Sequence, residues 1–484
     1  MLNQRIVSEL RGIVGDQGVV AEPEQLRTYE SDGLASYRVS PALVVLPTTT
    51  TQTQAIVRVC YREGIPFVPR GSGTGLSGGA LPVEGCVVIG LSRMRDILSV
   101  DLVNQRVVVQ PGVINLWVTQ RVAPAGYYYA PDPSSQQVCS IGGNVAENSG
   151  GAHCLKYGFT VNHVMGLKIV LPDGELVEIG GPTLDTPGYD LTGVVVGSEG
   201  TLGVVTEITL RLTRKPEAVQ TLLAAFEHTD HAGEGVSRII AAGVLPAAIE
   251  MMDKLAIEAA EAAVHAGYPT GAGAVLIVEL DGPRPEVDRQ LAAVRAICTE
   301  AGAFELRVAE SDEERALMWR GRKAAFAAVG RISPNYIVQD GVIPRTALPV
   351  VLREIEELAA RGGLRVANVF HAGDGNLHPL VLFDERDDGA ERRAEELAGD
   401  IIRLCVQHGG SITGEHGVGT DKKEHMAEMF SAADLATQQL VRCAFNPDHL
   451  CNPGKVYPTP RLCGETPGRY QPHPVEVAGL GERF

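Results

Sequence analysis

The sequence predicts an α+β protein built in two parts. Through about the first 215 residues, short strand-like runs are separated by polar loops dense in glycine. From Glu217 those loops give way to long alanine-rich helices alternating with strands. That alternation predicts a second domain with helices on one face of a sheet. The 484 residues suffice for two or three domains with sizeable cores.

Taken in order, Met1 to Gly15 reads as a polar amphipathic helix without the apolar run of a signal peptide. Ala42 to Leu46 is a strand. Thr48 to Gly64 is a helix, with Ile56, Val57, Val59 and Cys60 on one face and Gly64 as its stop. The strand-like Ile65 to Val68 then runs into Pro69-Arg70-Gly71-Ser72-Gly73-Thr74-Gly75-Leu76-Ser77-Gly78-Gly79-Ala80. Glycine buries nothing and is used where backbone takes φ > 0 or approaches a ligand. Successive N–H groups in such a turn form an anion cradle. Gly73 to Gly78 spells GxGxxG, but Gly79-Ala80-Leu81-Pro82 follows it and opens no helix. A nucleotide cofactor fits this stretch and a Rossmann crossover does not; a surface loop is the plain alternative.

Cys86 to Gly90 and Val107 to Gln110 read as strands and Val113 to Ala125 as a helix. Two further loops follow, Pro131 to Ser135 and Ile141 to Gly151. Met165 to Pro172 and Glu175 to Ile179 flank Asp173-Gly174 as a hairpin. Thr192 to Gly197 and Gly203 to Leu212 read as strands around a fourth loop, Ser198 to Thr201. Four such loops in one region look like the walls of one groove. In the second part, strands are expected at 221–226, 274–280, 304–308, 336–338, 365–370 and 380–383. Helices are expected near 231–242, 253–265, 285–301, 312–329, 346–361 and 391–408.

Composition narrows the functions. A net charge of −17 disfavours a nucleic-acid role. The nine cysteines show no CxxC, as expected of reduced thiols in a cytoplasmic protein. No apolar run reaches membrane-spanning length, so any peripheral membrane association goes through a partner.

The sharpest chemistry lies in Asn368 to Pro379. If its two strand-like runs pair as a hairpin, His371 faces His378 and both imidazoles reach one divalent metal. Two turn histidines with ordinary hydrogen bonds are the alternative. In Thr413-Gly414-Glu415-His416-Gly417, Glu415 supplies an oxygen ligand and His416 a base, unless the pair is merely solvated. Two His and one carboxylate suit Zn, Mn or Fe. Arg322 sits among Ala324, Ala325, Phe326 and Val329. It is either part of a solvated helix face with Arg320 and Lys323 or a grip for a carboxylate.

The ordered set of Pro69 to Ala80, Pro131 to Gly151, Gly197 to Val205, the His371/His378 segment, Gly414 to Gly419 and Asn452 to Lys455 resembles the FAD-binding fold shared by vanillyl-alcohol oxidase and p-cresol methylhydroxylase. Within that family it is similar to the glycolate-oxidase branch, beside D-lactate and D-2-hydroxyglutarate dehydrogenases. The resemblance implies a two-part FAD-binding domain at 1–216 (core about 38–216) and an α+β substrate or cap domain at 217–412. A C-terminal segment at 413–457 returns to the FAD domain, and 458–484 is a tail.

The resemblance also implies roles. Arg70, Gly71, Ser72, Gly73, Thr74, Gly75, Ser77 and Gly78 hold the FAD pyrophosphate. Pro131, Asp132, Ser134, Gly142, Gly143, Asn148 and Gly150 line the flavin and ribityl chain. Glu199, Gly200, Thr201 and Val205 close the nucleotide end, and Asn452 reaches the flavin. Relatives with covalent flavin carry a histidine where about Thr74 stands, so the FAD is non-covalent. His371, His378 and Glu415 bind the metal, His416 is the base, and Arg322 binds the substrate carboxylate. Phe326 and Val338 occupy places that are polar or basic in dicarboxylate-using relatives, which implies glycolate or D-lactate as substrate. A partner, a quinone or oxygen takes the electrons. The implied partners are a second flavin-type subunit and an iron–sulfur subunit. A D-lactate dehydrogenase acting alone and a non-catalytic flavoprotein subunit are the alternatives.

Overall fold

Helix Thr50–Glu63 shows how local sequence sets these elements. Ile56, Val57, Val59 and Cys60 are buried, the Thr49 side chain accepts from the Gln52 N–H, and Gly64 closes the helix at φ 63°. In this computed structural model it lies among residues 2–34, 36–183 and 187–458, which are the described residues. The tail from residue 459 on, including Glu482-Arg483-Phe484, lies outside them.

The N-terminal part holds two sheets. One has the order Val19–Val20, Leu43–Val45, Val87–Gly90, Phe67–Arg70, its last three strands parallel. The other is antiparallel, in the order Ile97–Asp101, Arg106–Val109, Val204–Arg211, Val164–Val170, Leu176–Gly180. The Asp173-Gly174 hairpin forms as expected, with Gly174 at φ 87°. Strand Ile97–Asp101 was not foreseen. Two segments change type. Ile141–Glu147, expected as loop, is a helix whose Ser140 side chain accepts from the Gly143 N–H. Leu191–Val195, expected as strand from its β-branched residues, is a short helix capped by Asp190.

The second part is one antiparallel sheet ordered Ala303–Val308, Ala218–Phe226, Ala274–Gly282, Ala248–Asp253, Arg365–His371, Asn376–Phe383, Asn335–Val338, with Gly341–Val342 pairing beside it. Helices cover both of its faces rather than one. Leu222, Ala224 and Phe226 pack with helices Thr229–Ala241, Arg284–Glu300, Leu348–Gly362 and Ala390–Gln407. The alternate residues Leu223 and Ala225 pack with Lys254–Val264 and Asp312–Val329. Side chains alternate across a strand, so apolar residues at consecutive positions demand cover on both sides. After helix Ala432–Phe445 the chain returns to the first sheet, where Cys451 bridges Phe67. Seven described cysteines are free and buried.

Candidate active site

A cleft of about 990 Å³ runs between the glycine stretch, the Ile141–Glu147 helix and the cap sheet, at the upper end for small-molecule sites. Arg70, Gly71, Ser72, Gly73, Thr74, Gly75, Ser134, Gly142, Gly143, Glu199, Gly200 and Val205 line it, as do His378, Glu415 and His416. The absent Cβ atoms matter here. One added to Gly142 would lie 2.6 Å from the Pro111 Cβ, and one on Gly71 would run into Ser140. The two walls meet only because these residues are glycine, and their backbone lies open to the cleft, a fit for a dinucleotide cofactor.

Other expected cofactor residues stand behind that lining. The Ser77 carbonyl accepts from the N–H groups of Thr420 and Asp421, and Gly78 faces Thr420. Asp132 pairs with His153, and Asn148 accepts from the Val161 N–H. Pro131 accepts from Asn115, and Thr201 donates to Ser198. Asn452 donates to the carbonyls of Gly79 and Glu199. These residues latch the loops to one another. Glu199 does both: it lines the cleft while its carboxylate accepts from Val418 and Gly419 N–H at 2.6 Å each.

The histidines meet, but not as expected. The hairpin register sets His371 opposite Asn376 and His378 opposite Val369. They are diagonal neighbours on one face, with ring centroids 5.1 Å apart. Ligand atoms of His371, His378 and Glu415 lie within 4.8 Å of one another, as do those of Asp340, His378 and His416. His378 is 1% exposed; its Nδ1 and Glu415 Oε2 have no hydrogen-bond partner, while its Nε2 lies 3.4 Å from both Asp340 Oδ1 and Glu415 Oε1. A buried polar atom without a partner costs about 1–3 kcal/mol. His378 Nε2 facing the Glu415 and Asp340 carboxylates, with Glu415 Oε2 left unpartnered beside it, fits a bound cation.

The electrostatics separate the roles. Burial opposes the Glu415 charge, but His371, His378 and His416 bring its pKa down to about 2. Burial also opposes a charged His371, yet the Glu250 and Glu415 carboxylates hold it well above the ordinary imidazole range. His416 goes the other way: burial pushes it down to about 4, only partly offset by Asp340.

Glu250 and Asp340 are site residues that sequence reasoning missed. Glu250 Oε1 lies 2.7 Å from His371 Nδ1, and Oε2 lies 2.5 Å from Arg322 Nη2. Its signal was a lone carboxylate in the apolar run Ala248 to Met252. Asp340, 0% exposed, accepts from the N–H groups of Gly414, Glu415 and His416 and from the Thr413 hydroxyl. It thereby fixes the loop carrying both Glu415 and His416. His371 and Arg322 stand behind the cleft lining. Arg322, 2% exposed, is no solvated helix cation, and its Nε has no hydrogen-bond partner.

Fold and cleft define a two-domain FAD-dependent oxidoreductase. The chain belongs to the FAD-linked oxidases: residues 215–456 match the family described as "FAD linked oxidases, C-terminal domain" and residues 41–180 match "FAD binding domain". It is 51% identical over 460 residues to the glycolate oxidase subunit GlcD of Escherichia coli K12, covering 95% of this chain and 92% of that protein. A D-lactate dehydrogenase of Anaerostipes hadrus is 32% identical, covering 93% and 95%. The crystal structure of p-cresol methylhydroxylase superposes with a TM-score of 0.77 at 17% identity, covering 94% of this chain and 97% of that one, which shows the fold. No helix among the described residues is long and apolar enough to cross a membrane.

Proposed function

We propose that this chain oxidises a small D-2-hydroxy acid, glycolate foremost, to the 2-oxo acid. Residues 1–216 hold FAD non-covalently, 217–412 form the substrate domain, and 413–457 return to the FAD domain. Bound FAD supplies the hydride acceptor at flavin N5, and a divalent ion supplies the Lewis acidity that lowers the substrate hydroxyl's pKa. His371, His378 and Glu415 hold that ion. His416, kept neutral by burial and facing the cleft, takes the hydroxyl proton as hydride leaves the α-carbon. Arg322 grips the substrate carboxylate. Phe326 and Val338 in the cleft wall favour a monocarboxylate. Electrons pass to a partner subunit or a quinone rather than to NAD. The partners are a flavin-type and an iron–sulfur subunit, which also provide any membrane contact of a cytoplasmic chain.

The observation that carries this reading is the buried His378 ring at the cleft wall, its Nε2 3.4 Å from Glu415 Oε1 and its plane stacked on His416. The test is anaerobic: glycolate should bleach the flavin absorbance of the purified protein. Flavin that stays oxidised with both glycolate and D-lactate would sink the substrate assignment. D-lactate is the second reading, favoured by the Anaerostipes hadrus relative. Bleaching by D-lactate and not glycolate would select it.

A further inference from the structure

Glu250 is 1% exposed in the middle of the cap sheet, on strand Ala248–Asp253. A buried carboxylate is costly unless it is paired and hydrogen-bonded. Here each oxygen has a cationic or donor partner: Oε1 sits 2.7 Å from His371 Nδ1 and Oε2 sits 2.5 Å from Arg322 Nη2. The pairing is built by register, since Glu250 lies directly opposite His371 across the two strands. With Nδ1 donating to Glu250, the other ring nitrogen, Nε2, is aimed at Glu415 Oε1, 3.2 Å away.

We propose that Glu250 is the positioning residue of the metal centre, acting through His371, with Arg322 as its counter-ion. The inference rests on the metal-dependent reading above. An imidazole presents a lone pair from one nitrogen only when the other carries the proton. The Glu250 carboxylate fixes the proton on Nδ1 and the ring in one orientation, leaving Nε2 for the ion. Arg322 balances the charge that Glu250 brings, so the ion's own charge is met by Glu415 and an incoming substrate carboxylate rather than by a second bare carboxylate. The same side chain thus holds a metal ligand and the arginine assigned to the substrate.

The test is a titration of FAD-loaded full-length protein with Mn²⁺, following free Mn²⁺ by EPR, which needs no turnover. Glu250→Gln should weaken Mn²⁺ binding by about 10–100-fold with FAD content unchanged, and raising Mn²⁺ to saturation should recover turnover. Glu250→Gln leaves Arg322 buried without its counter-charge, so the double variant Glu250→Gln/Arg322→Met, with no charge left in the pair, serves as a second form. It should hold FAD and show the same loss of Mn²⁺ affinity. Wild-type affinity in either FAD-loaded variant would overturn the role of Glu250 while leaving the metal-dependent reading intact. If the wild-type protein itself takes up none of Mn²⁺, Zn²⁺ or Fe²⁺, both fall together.

Discussion

The rings of His378 and His416 stack with centroids 5.0 Å apart and planes within 7° of parallel. The stack places the proposed base against a proposed metal ligand. His416 is half-buried at the cleft wall, and desolvation there drives its pKa down to about 4. The base is therefore neutral and ready across the ordinary pH range.

His416→Ala should lower turnover by about 100–10,000-fold, the usual span for a general base, while flavin colour and ion content stay unchanged. The sign of the pH dependence follows from the lowered value. Protonation of His416 should remove activity only as pH falls well below the ordinary imidazole value, toward 4. A pH–rate profile of kcat/KM, taken with the ion kept saturating at every pH, that already collapses near pH 6.5 would place the base elsewhere.

Metal binding should also weaken toward acid, and from a higher pH. His371, flanked by Glu250 and Glu415, is held well above the ordinary imidazole range, and an ion at Nε2 must displace a proton. Affinity should therefore fall as pH drops, by up to about tenfold per pH unit. Calorimetric titration of Mn²⁺ in two buffers of different ionisation enthalpy measures the proton release directly. His378→Ala should abolish that binding and turnover while the protein stays yellow; loss of FAD as well would mean that the hairpin belongs to the flavin site.

The glycine stretch is the next point to probe. Gly73 has φ 69°, and a Cβ there would collide with the Arg70 guanidinium. Left-handed backbone costs a non-glycine residue roughly 1–2 kcal/mol, and the collision adds to it. Gly73→Ala should weaken FAD retention by tenfold or more, read as flavin content after dialysis. Gly64→Ala is the control: its φ is 63° with nothing within 4 Å of an added Cβ, so it should lower stability by about 1 kcal/mol and leave FAD in place.

Much of this was legible in the sequence because it is local. Helix Thr50–Glu63 carries its cap, its apolar face and its stop in consecutive residues. The glycines of the cleft wall and the His-Glu-His chemistry could be named because few other uses suit them. What escaped depends on tertiary context. Ala248–Asp253 is buried on both faces and so shows no alternation, which hid both the strand and Glu250. Ile141–Glu147 carries two glycines in its first turn, a poor helix by propensity, and forms because Ser140 caps it against the glycine stretch. The diagonal pairing of His371 and His378 is a matter of register, which the loop length alone did not decide. Asp340 gave no local sign, since its partners are backbone N–H groups some 75 residues later.

Glu199 offers a last test, of how the C-terminal segment is tied to the FAD domain. Its carboxylate takes the N–H groups of Val418 and Gly419. Burial pushes its pKa up to about 7, against the lowering effect of those two N–H groups. The value is raised on folding, so the native state binds the extra proton between the ordinary carboxyl value and about 7. Stability from this group is fully present below that window and is lost as pH climbs through it. Glu199→Gln cannot accept both N–H groups and should lower stability by about 1–3 kcal/mol, but it cannot titrate. The melting temperature of the wild type should therefore fall more steeply between pH 5 and 8 than that of Glu199→Gln. Parallel curves would show that Glu199 stays charged throughout, held by the two N–H groups alone.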